Sequence, residues 1–237
     1  LERIAAGQQP PLRFNQTLAR IEDSPKPVIA ALNGATLGGG LELAMACHYR
    51  VAAMGIQVGQ PEVHLGLIPG AGGTQRLPRL VGLEKALEMC AFGEPIDAAA
   101  ALEAGILDRI ADTALAGALA LAAEGLAVRR TRDRVEKLTD AASAESLAAL
   151  YAETCRKRAP RQTAPPAAVE AVAAAARLDF DSGLEFERKK FDECLSGEQA
   201  RALMHVFFAE RATSRIPGLA ATPQSQEIRT AAVAGAG

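Results

Sequence analysis

The sequence lacks a strong net charge, paired cysteines and a long apolar run. Its 26 Lys and Arg residues against 28 Asp and Glu residues give a formal net charge of −2, which marks no nucleic-acid or membrane surface. The four cysteines are far apart and form no CxxC motif, so the sequence predicts neither a zinc site nor a disulfide framework. We expect no membrane span and no signal peptide. These absences favour a soluble protein of a reducing compartment, with no nucleic-acid partner.

Motifs for nucleotides and metals are also lacking. The glycine loop at 70–73 is not followed by Lys and Ser or Thr, so a phosphate-binding loop of the nucleotide type is not indicated. The glycines at 38–40 lack the spacing of a dinucleotide fingerprint. No His, Asp and Glu residues cluster at ligand spacing, so we predict no metal site.

What is present is an apolar chain with alternating elements. Hydrophobic residues make up 49% of the 237 residues, enough for a sizeable core. Short strands alternate with helices up to about residue 111, including a strand predicted over 56–62, and helices fill most of 112–212. The last helix carries Leu203, Phe207 and Phe208 at helical spacing, which predicts a packing face. This order indicates an α/β class followed by a helical layer.

Two acids lie in the most apolar part of the chain, the stretch GGGLELAMACHYRVAAMGIQVGQPE at 38–62. Carboxylates are seldom placed in apolar surroundings without a specific role. A glycine turn that opens a helix exposes backbone N–H groups, which can bind a phosphate or a developing oxyanion. Glu42 has an alternative role as a partner of the helix dipole, and Glu62 as a surface acid at a strand end.

Together, these features predict one catalytic pocket. Two carboxylates in a site of low dielectric constant do not both ionise easily, so one becomes an acid and the other a base. Such a pair beside an oxyanion site suits the addition or removal of water next to a polarised carbonyl group. His48 and His64 are nearby, and for each a structural role is the more frequent outcome.

The stretches PKPVIAALNGATLGGGLELAMACHYRVAA and GQPEVHLGLIPGAGGTQRLPRLVG resemble the crotonase (enoyl-CoA hydratase/isomerase) superfamily, between about residues 20 and 110. The resemblance implies a spiral of ββα units capped by helices, and a reaction on an acyl-CoA thioester with no cofactor. It places the catalytic acids at Glu42 and Glu62, an oxyanion-hole N–H at Gly39, and substrate-binding glycines at Gly38 and Gly70. Glu62 matches the acid that delivers the α-proton and that isomerases retain.

A narrower resemblance links the chain to multifunctional β-oxidation enzymes, through ACHYRVA and the segment at 180–219. In that family a hydratase domain is joined to an NAD-dependent 3-hydroxyacyl-CoA dehydrogenase. The resemblance implies a hydratase-like domain at 1–178, linker helices at 179–227, and the first strand of a truncated Rossmann domain at 228–237. The glycines Gly235 and Gly237 would then begin a fingerprint that is incomplete, and NAD would belong to the missing domain.

The family's first oxyanion donor comes from an earlier Ala-Gly-Ala-Asp-like segment that does not precede residue 20 here, so we expect a weakly active or inactive chain as written. For the domain itself, the two resemblances imply hydration of 2-enoyl-CoA to 3-hydroxyacyl-CoA in fatty-acid β-oxidation, with Δ3-to-Δ2 isomerisation as a second activity. The alternatives are a monofunctional isomerase and a non-catalytic binding module. The expected compartment is the bacterial cytoplasm or the peroxisome, and oligomerisation is left open.

Overall fold

The computed structural model describes residues 13–213, together with Thr230 and Ala232. Two expectations therefore lie outside the described residues, namely the C-terminal part of the linker and the fingerprint glycines Gly235 and Gly237. The helices are, in chain order, α1 Arg13–Glu22, α2 Gly39–Ala46, α3 Gly73–Val81, α4 Leu83–Phe92, α5 Ala98–Ala104, α6 Ala114–Ala122, α7 Ala141–Arg158, α8 Ala164–Ala174, α9 Phe180–Ser196 and α10 Glu198–Thr213. Two 3₁₀ helices, Pro61–Leu65 and Thr131–Asp133, lie between them.

Six short strands form two small sheets in the described part of the chain. The strands are β1 Ile29–Leu32, β2 Thr36–Leu37, β3 Tyr49–Ala53, β4 Gln57–Gly59, β5 Ile96–Asp97 and β6 Arg109–Ala111. One sheet has the order β1-β3-β6 and is parallel, while the other has the order β2-β4-β5, with β5 antiparallel to β4.

The strand pairing shows how successive units are stacked. The unit β1-β2-α2 places its first strand in the parallel sheet and its second strand in the other sheet, and the next pair, β3 and β4, does the same. Ile29 is opposite Tyr49 in the first sheet, and Thr36 is opposite Val58 in the second. The architecture is the α/β spiral of ββα units expected from the sequence, with helices packed around it.

The helix starts follow local sequence signals. Four helices begin after a side chain that accepts a hydrogen bond from the amide three residues on, which satisfies one otherwise unpaired donor. These caps are Asp97 for α5, Thr113 for α6, Asp140 for α7 and Asp179 for α9. Pro165 lies in the first turn of α8, where a missing N–H costs nothing.

One apolar core joins the spiral to the C-terminal helices. Leu41 and Leu77 from the spiral belong to the same buried cluster as Phe191 of α9 and Met204 of α10. The described part of the segment expected to be a linker thus packs directly on the region that carries the candidate site. Its assignment to a separate linker stays a prediction.

One strand was predicted too long. The strand expected over 56–62 ends at Gly59, and Glu62 lies in the 3₁₀ helix Pro61–Leu65. Pro61 has no N–H to donate to a neighbouring strand, and it occupies the first turn of the 3₁₀ helix, where no donor is needed. The acid is therefore presented by a tight turn and not by a strand end.

Candidate active site

The glycine turn before α2 forms one wall of the site. Gly38 has a φ of 55°, a conformation that favours glycine, and its N–H donates to the carbonyl of Gly59 at 2.9 Å. A Cβ at Gly38 would lie 2.9 Å from Glu62 Oε1, so any side chain here would displace that carboxyl group. Gly39 is the first residue of α2, and its N–H has no acceptor within the helix. This N–H is available to a ligand.

Glu42 lies in the first turn of α2 and is 4% exposed. Its Oε1 atom accepts hydrogen bonds from the N–H groups of Ala71, at 2.7 Å, and Gly73, at 2.9 Å. Burial raises the pKa of Glu42, whereas these two hydrogen bonds and the nearby Arg76 act in the opposite direction. The Oε2 atom lies near Gly39, 3.9 Å from where its Cβ would be. One oxygen is thus held by the loop and the other faces the glycine turn.

Glu62 is partly buried and approaches the turn from the opposite side, beside Gly38. Burial raises its pKa well above the usual range, and the charges of Glu42 and Glu187 raise it further. The amide of Gln60, with its nitrogen turned towards Glu62, donates to Oε1 at 3.0 Å and to Oε2 at 3.2 Å. A Cβ at Gly73 would meet both this amide and Glu42 Oε1, each at 2.8 Å. Gln60 therefore lies between the two acids.

The electrostatic environments of the two acids differ. Glu42 has two N–H donors and a cation that stabilise its ionised form, whereas the charges acting on Glu62 stabilise its neutral form. The surroundings thus favour ionisation of Glu42 more than that of Glu62, which is the difference that a base and an acid in one site require.

A cavity of about 570 Å³ opens in front of Glu62. Gly38, Gly39 and Glu62 line it together with the polar side chains of His64, Glu210 and Arg211, and apolar side chains of β2, the 3₁₀ helix and α10 also form its walls. These apolar residues are Leu37, Leu65, Leu203, Val206 and Phe207. Such a cavity suits a ligand with an apolar chain and one polar reacting group.

The predicted packing face of α10 lies partly in the apolar core and partly in the wall of the cavity. Ala200 and Met204 are each 1% exposed and belong to the core. Leu203, Phe207 and Phe208 are only partly buried, and the first two line the cavity. The helix therefore packs through one edge and contributes a wall of the candidate site through the other.

Gly70 is the remaining predicted site residue. Gly70 packs against Phe191, whose Cδ2 would be 2.5 Å from a Cβ at this position. It is not among the residues that line the cavity. It does begin the loop whose next residue, Ala71, donates to Glu42. A contact between Gly70 and substrate stays a prediction.

The two histidines differ. His48 is 1% exposed, and its Nδ1 atom accepts from the N–H of Val28 at 2.8 Å. Its Nε2 atom therefore carries the proton and donates to the carbonyl of Glu22 at 3.1 Å. Both ring nitrogens of His48 thus have hydrogen-bond partners within the protein. His64, by contrast, lines the cavity and remains available there.

Sequence reasoning missed two buried polar residues at the site. Gln60 is fully buried and contacts Glu62. Glu187, on α9, is 1% exposed and accepts hydrogen bonds from the loop before α3. A signal was present for Glu187, since α9 buries residues at helical spacing and one of them is this acid. The buried residues of the helix are Phe180, Gly183, Glu187, Phe191 and Cys194.

The described part of the chain contains neither a membrane-spanning helix nor a cluster of metal ligands. No helix between residues 13 and 213 is long and apolar enough to cross a membrane. Within the same range, no group of three or more His, Cys, Asp or Glu side chains could hold a metal ion. All four cysteines are buried free thiols. Burial raises the pKa of the Cys90 thiol well above its usual range, and the charges of the neighbouring acids add to the effect.

Comparison with known proteins identifies the family. The model of the family described as enoyl-CoA hydratase/isomerase matches residues 2–164. The chain belongs to this family, which is the crotonase superfamily expected from the sequence.

Three curated relatives illustrate the likeness. A glyoxysomal fatty acid beta-oxidation multifunctional protein of Cucumis sativus is 37% identical over 98% of this chain and 33% of its own length. The peroxisomal bifunctional enzyme of Homo sapiens is 39% identical over 95% of this chain and 32% of its own length. A probable enoyl-CoA hydratase of Bacillus subtilis is 38% identical over 84% of this chain and 66% of its own length. The chain thus spans about a third of the length of the multifunctional relatives.

Proposed function

We propose that this chain carries the hydratase site of a fatty-acid β-oxidation enzyme and converts a 2-enoyl-CoA into a 3-hydroxyacyl-CoA. The observation that carries the proposal is the placement of two carboxyl groups beside one glycine turn: Glu42, oriented by the N–H groups of Ala71 and Gly73 with Oε2 near Gly39, and Glu62, next to Gly38. Family membership and the relatives' names support the same substrate class.

The reaction uses both acids at once. Glu42 takes a proton from water, and the water oxygen forms a bond to C3 of the enoyl group. The π electrons of the C2–C3 bond move towards the thioester carbonyl, and Glu62 delivers its proton to C2. The pair ends with the proton on Glu42 instead of Glu62, so a proton must return before the next turnover.

The glycine turn stabilises the charge that develops on the thioester oxygen. The N–H of Gly39 points from the N-terminus of α2, where the helix dipole adds to its positive field. Gly38 allows the Glu62 carboxyl group to approach this position, since a Cβ there would collide with it. The acyl chain of the substrate would follow the apolar wall formed by α10.

A second activity, Δ3-to-Δ2 isomerisation of enoyl-CoA, is favoured by one further observation. Glu62 lines the cavity, and Glu42 is not among the residues that line it. Isomerisation moves one proton between C4 and C2, and a single carboxyl group at the cavity suffices for this.

In the intact protein, we propose that this region is joined to an NAD-dependent 3-hydroxyacyl-CoA dehydrogenase, which would oxidise the product of hydration. The support is the coverage of only about a third of relatives whose names describe multifunctional or bifunctional proteins, together with the glycines that follow the last predicted strand. The compartment would then be the peroxisome in a eukaryote and the cytoplasm in a bacterium.

The test is turnover by the intact protein with a 2-enoyl-CoA and, separately, with a 3-enoyl-CoA. We expect Glu62→Gln to abolish most of both reactions and Glu42→Gln to abolish hydration with a smaller effect on isomerisation. Glu84→Gln, an exposed acid of α4, is the matched control and should keep both activities. An intact protein that binds acyl-CoA without converting either substrate would contradict the proposal and favour a binding module.

A further inference from the structure

A third acid is buried beside the catalytic pair, and the proposed reaction makes no direct use of it. Glu187 comes from α9 and is 1% exposed. Its Oε1 atom accepts from the N–H of Gly72 at 2.6 Å. Its Oε2 atom accepts from the N–H of Thr74 at 2.9 Å and from the Thr74 hydroxyl group at 2.6 Å.

Two acids hold the same loop from opposite sides. The N–H groups of Ala71 and Gly73 donate to Glu42, and those of Gly72 and Thr74 donate to Glu187. Successive amides of the loop therefore alternate between the two carboxyl groups. Glu187 therefore holds in place the loop whose N–H groups orient Glu42.

The carboxyl group of Glu187 is buried without a cationic partner among the described residues. Glu187 makes no ion pair with any Lys or Arg in the part of the chain that the structure describes. A buried carboxylate without a cation is costly, but only a carboxyl group offers acceptor oxygens on both sides for these loop donors. The acid thus holds the loop on which the orientation of Glu42 depends.

We propose that Glu187 is a positioning residue for the reaction, which fixes the loop that orients Glu42 and, when ionised, adds a negative charge that acts on Glu62. This inference rests on the proposed hydratase function. It deepens that function by adding a third acid, contributed by a helix that follows the spiral.

The charged and titratable groups around Glu187 define the direction of its effect. Glu42 on α2, Glu62 on the 3₁₀ helix and Cys90 on α4 share the same buried region, and Arg76 on α3 acts on Glu42. Burial, and then the charge of Glu42, raise the pKa of Glu187 to about 8. When Glu187 ionises above neutral pH, its charge favours the protonated form of Glu62.

Thr74 allows Glu187 to titrate without releasing the loop. The Thr74 hydroxyl group lies 2.6 Å from Glu187 Oε2 and can donate to the ionised carboxylate. When Glu187 is protonated, the same hydroxyl oxygen can accept the carboxyl proton, because a hydroxyl group both donates and accepts. The contact between Thr74 and Glu187 can therefore persist in both protonation states of the acid.

The test compares Glu187→Gln with Glu185→Gln in the intact protein. Glu185 is an exposed acid two residues away on the same helix, so the matched control removes the same charge without touching the loop. The amide introduced by Glu187→Gln keeps one acceptor oxygen, but its NH₂ group faces a loop donor, so Glu42 shifts. We expect kcat for hydration to fall on the order of tenfold or more with KM changed by less than about threefold.

The pH profile separates a positioning role from a purely structural one. With Glu187→Gln, Glu62 loses its proton more easily, so the alkaline limb of the kcat/KM profile should move to lower pH. Thr74→Val, which keeps the acid but weakens its ionised form, should move this limb in the same direction by less. Glu185→Gln should leave kcat and the profile unchanged.

The outcomes distinguish this inference from the proposed function. An intact wild-type protein that does not hydrate 2-enoyl-CoA contradicts the function. In that case an infrared titration of the buried carboxyl groups still tests the inference, since Glu187→Gln should lower the pH at which Glu62 ionises. Unchanged kcat and an unshifted profile in an active protein would overturn the inference. The inference would also be overturned by a loss of activity that is proportional to the fraction of unfolded protein while the alkaline limb of the profile does not move.

Discussion

Replacement of Glu42 by Gln should produce a folded protein with very little hydratase activity. The Glu42 Oε1 atom accepts two N–H groups, at 2.7 and 2.9 Å, and the oxygen of a Gln amide can accept both. The NH₂ group then takes the place of Oε2 near Gly39 and can no longer accept a proton from water. Loss of a general base lowers the rate by about 10²–10⁴-fold, equivalent to about 3–5 kcal/mol of transition-state stabilisation.

The stability of this variant should not fall. Burial disfavours the ionised form of Glu42, as the raised pKa shows, and Gln avoids that cost while keeping the acceptor. Glu42→Ala behaves differently, because it leaves the buried N–H groups of Ala71 and Gly73 without an acceptor. Each such group costs about 1–3 kcal/mol, so we expect a loss of roughly 2–6 kcal/mol.

The assay combines hydration kinetics with urea unfolding of the intact protein. Glu42→Gln should retain the wild-type midpoint of unfolding while kcat falls, whereas Glu42→Ala should lose both. Hydration by Glu42→Gln at more than about a tenth of the wild-type rate would refute the assignment of Glu42 as the base. A large drop in the unfolding midpoint of Glu42→Gln would refute the account of how the loop holds this side chain.

Three further predictions concern the turn, the cavity and pH. Gly38→Ala should lower kcat by about tenfold or more, because its Cβ would lie 2.9 Å from Glu62 Oε1. Gly55→Ala is the control, because Gly55 has a φ of 76° and a Cβ there would meet no atom within 4 Å. Both variants should lose about 1 kcal/mol of unfolding free energy in urea, but Gly55→Ala should keep the wild-type kcat. Phe207→Ala should raise kcat/KM for longer acyl chains relative to a four-carbon substrate, because the ring bounds the cavity; equal ratios would contradict this placement. The free energy of unfolding should fall as pH rises from about 4.5 to about 8, because folded Glu187 holds its proton over this range and the unfolded chain does not; a smaller decline in Glu187→Gln would confirm the source.

Local sequence was sufficient to locate the principal acids. Glu42 follows a glycine turn at the start of an apolar helix, and Glu62 follows a Gln-Pro pair after a short strand. Both signals lie within a few residues of the acid, so they can be recognised without knowledge of the fold. The prediction of a strand up to Glu62 was wrong because the apolar pattern of 56–59 was extended through Pro61, which begins a 3₁₀ helix instead.

The resemblance to the crotonase superfamily also depends only on sequence, and the match to the family model confirms it. The order of strands and helices indicated an α/β class. It did not indicate which strands would pair. The alternation of strands between two small sheets is a property of the stacked units, because hydrogen bonds between β1 and β3 join residues about 20 positions apart.

By itself, the sequence determined the family, the helix starts and the positions of Glu42 and Glu62, because each depends on residues that are neighbours in the chain. The tertiary structure alone decided that Glu187 binds the loop that also holds Glu42, since its hydrogen bonds to Gly72 and Thr74 span 115 and 113 residues. It also decided the protonation of the acids. Whether a carboxyl group gains or loses a proton depends on burial and on the charges that folding brings beside it, and neither follows from the local sequence.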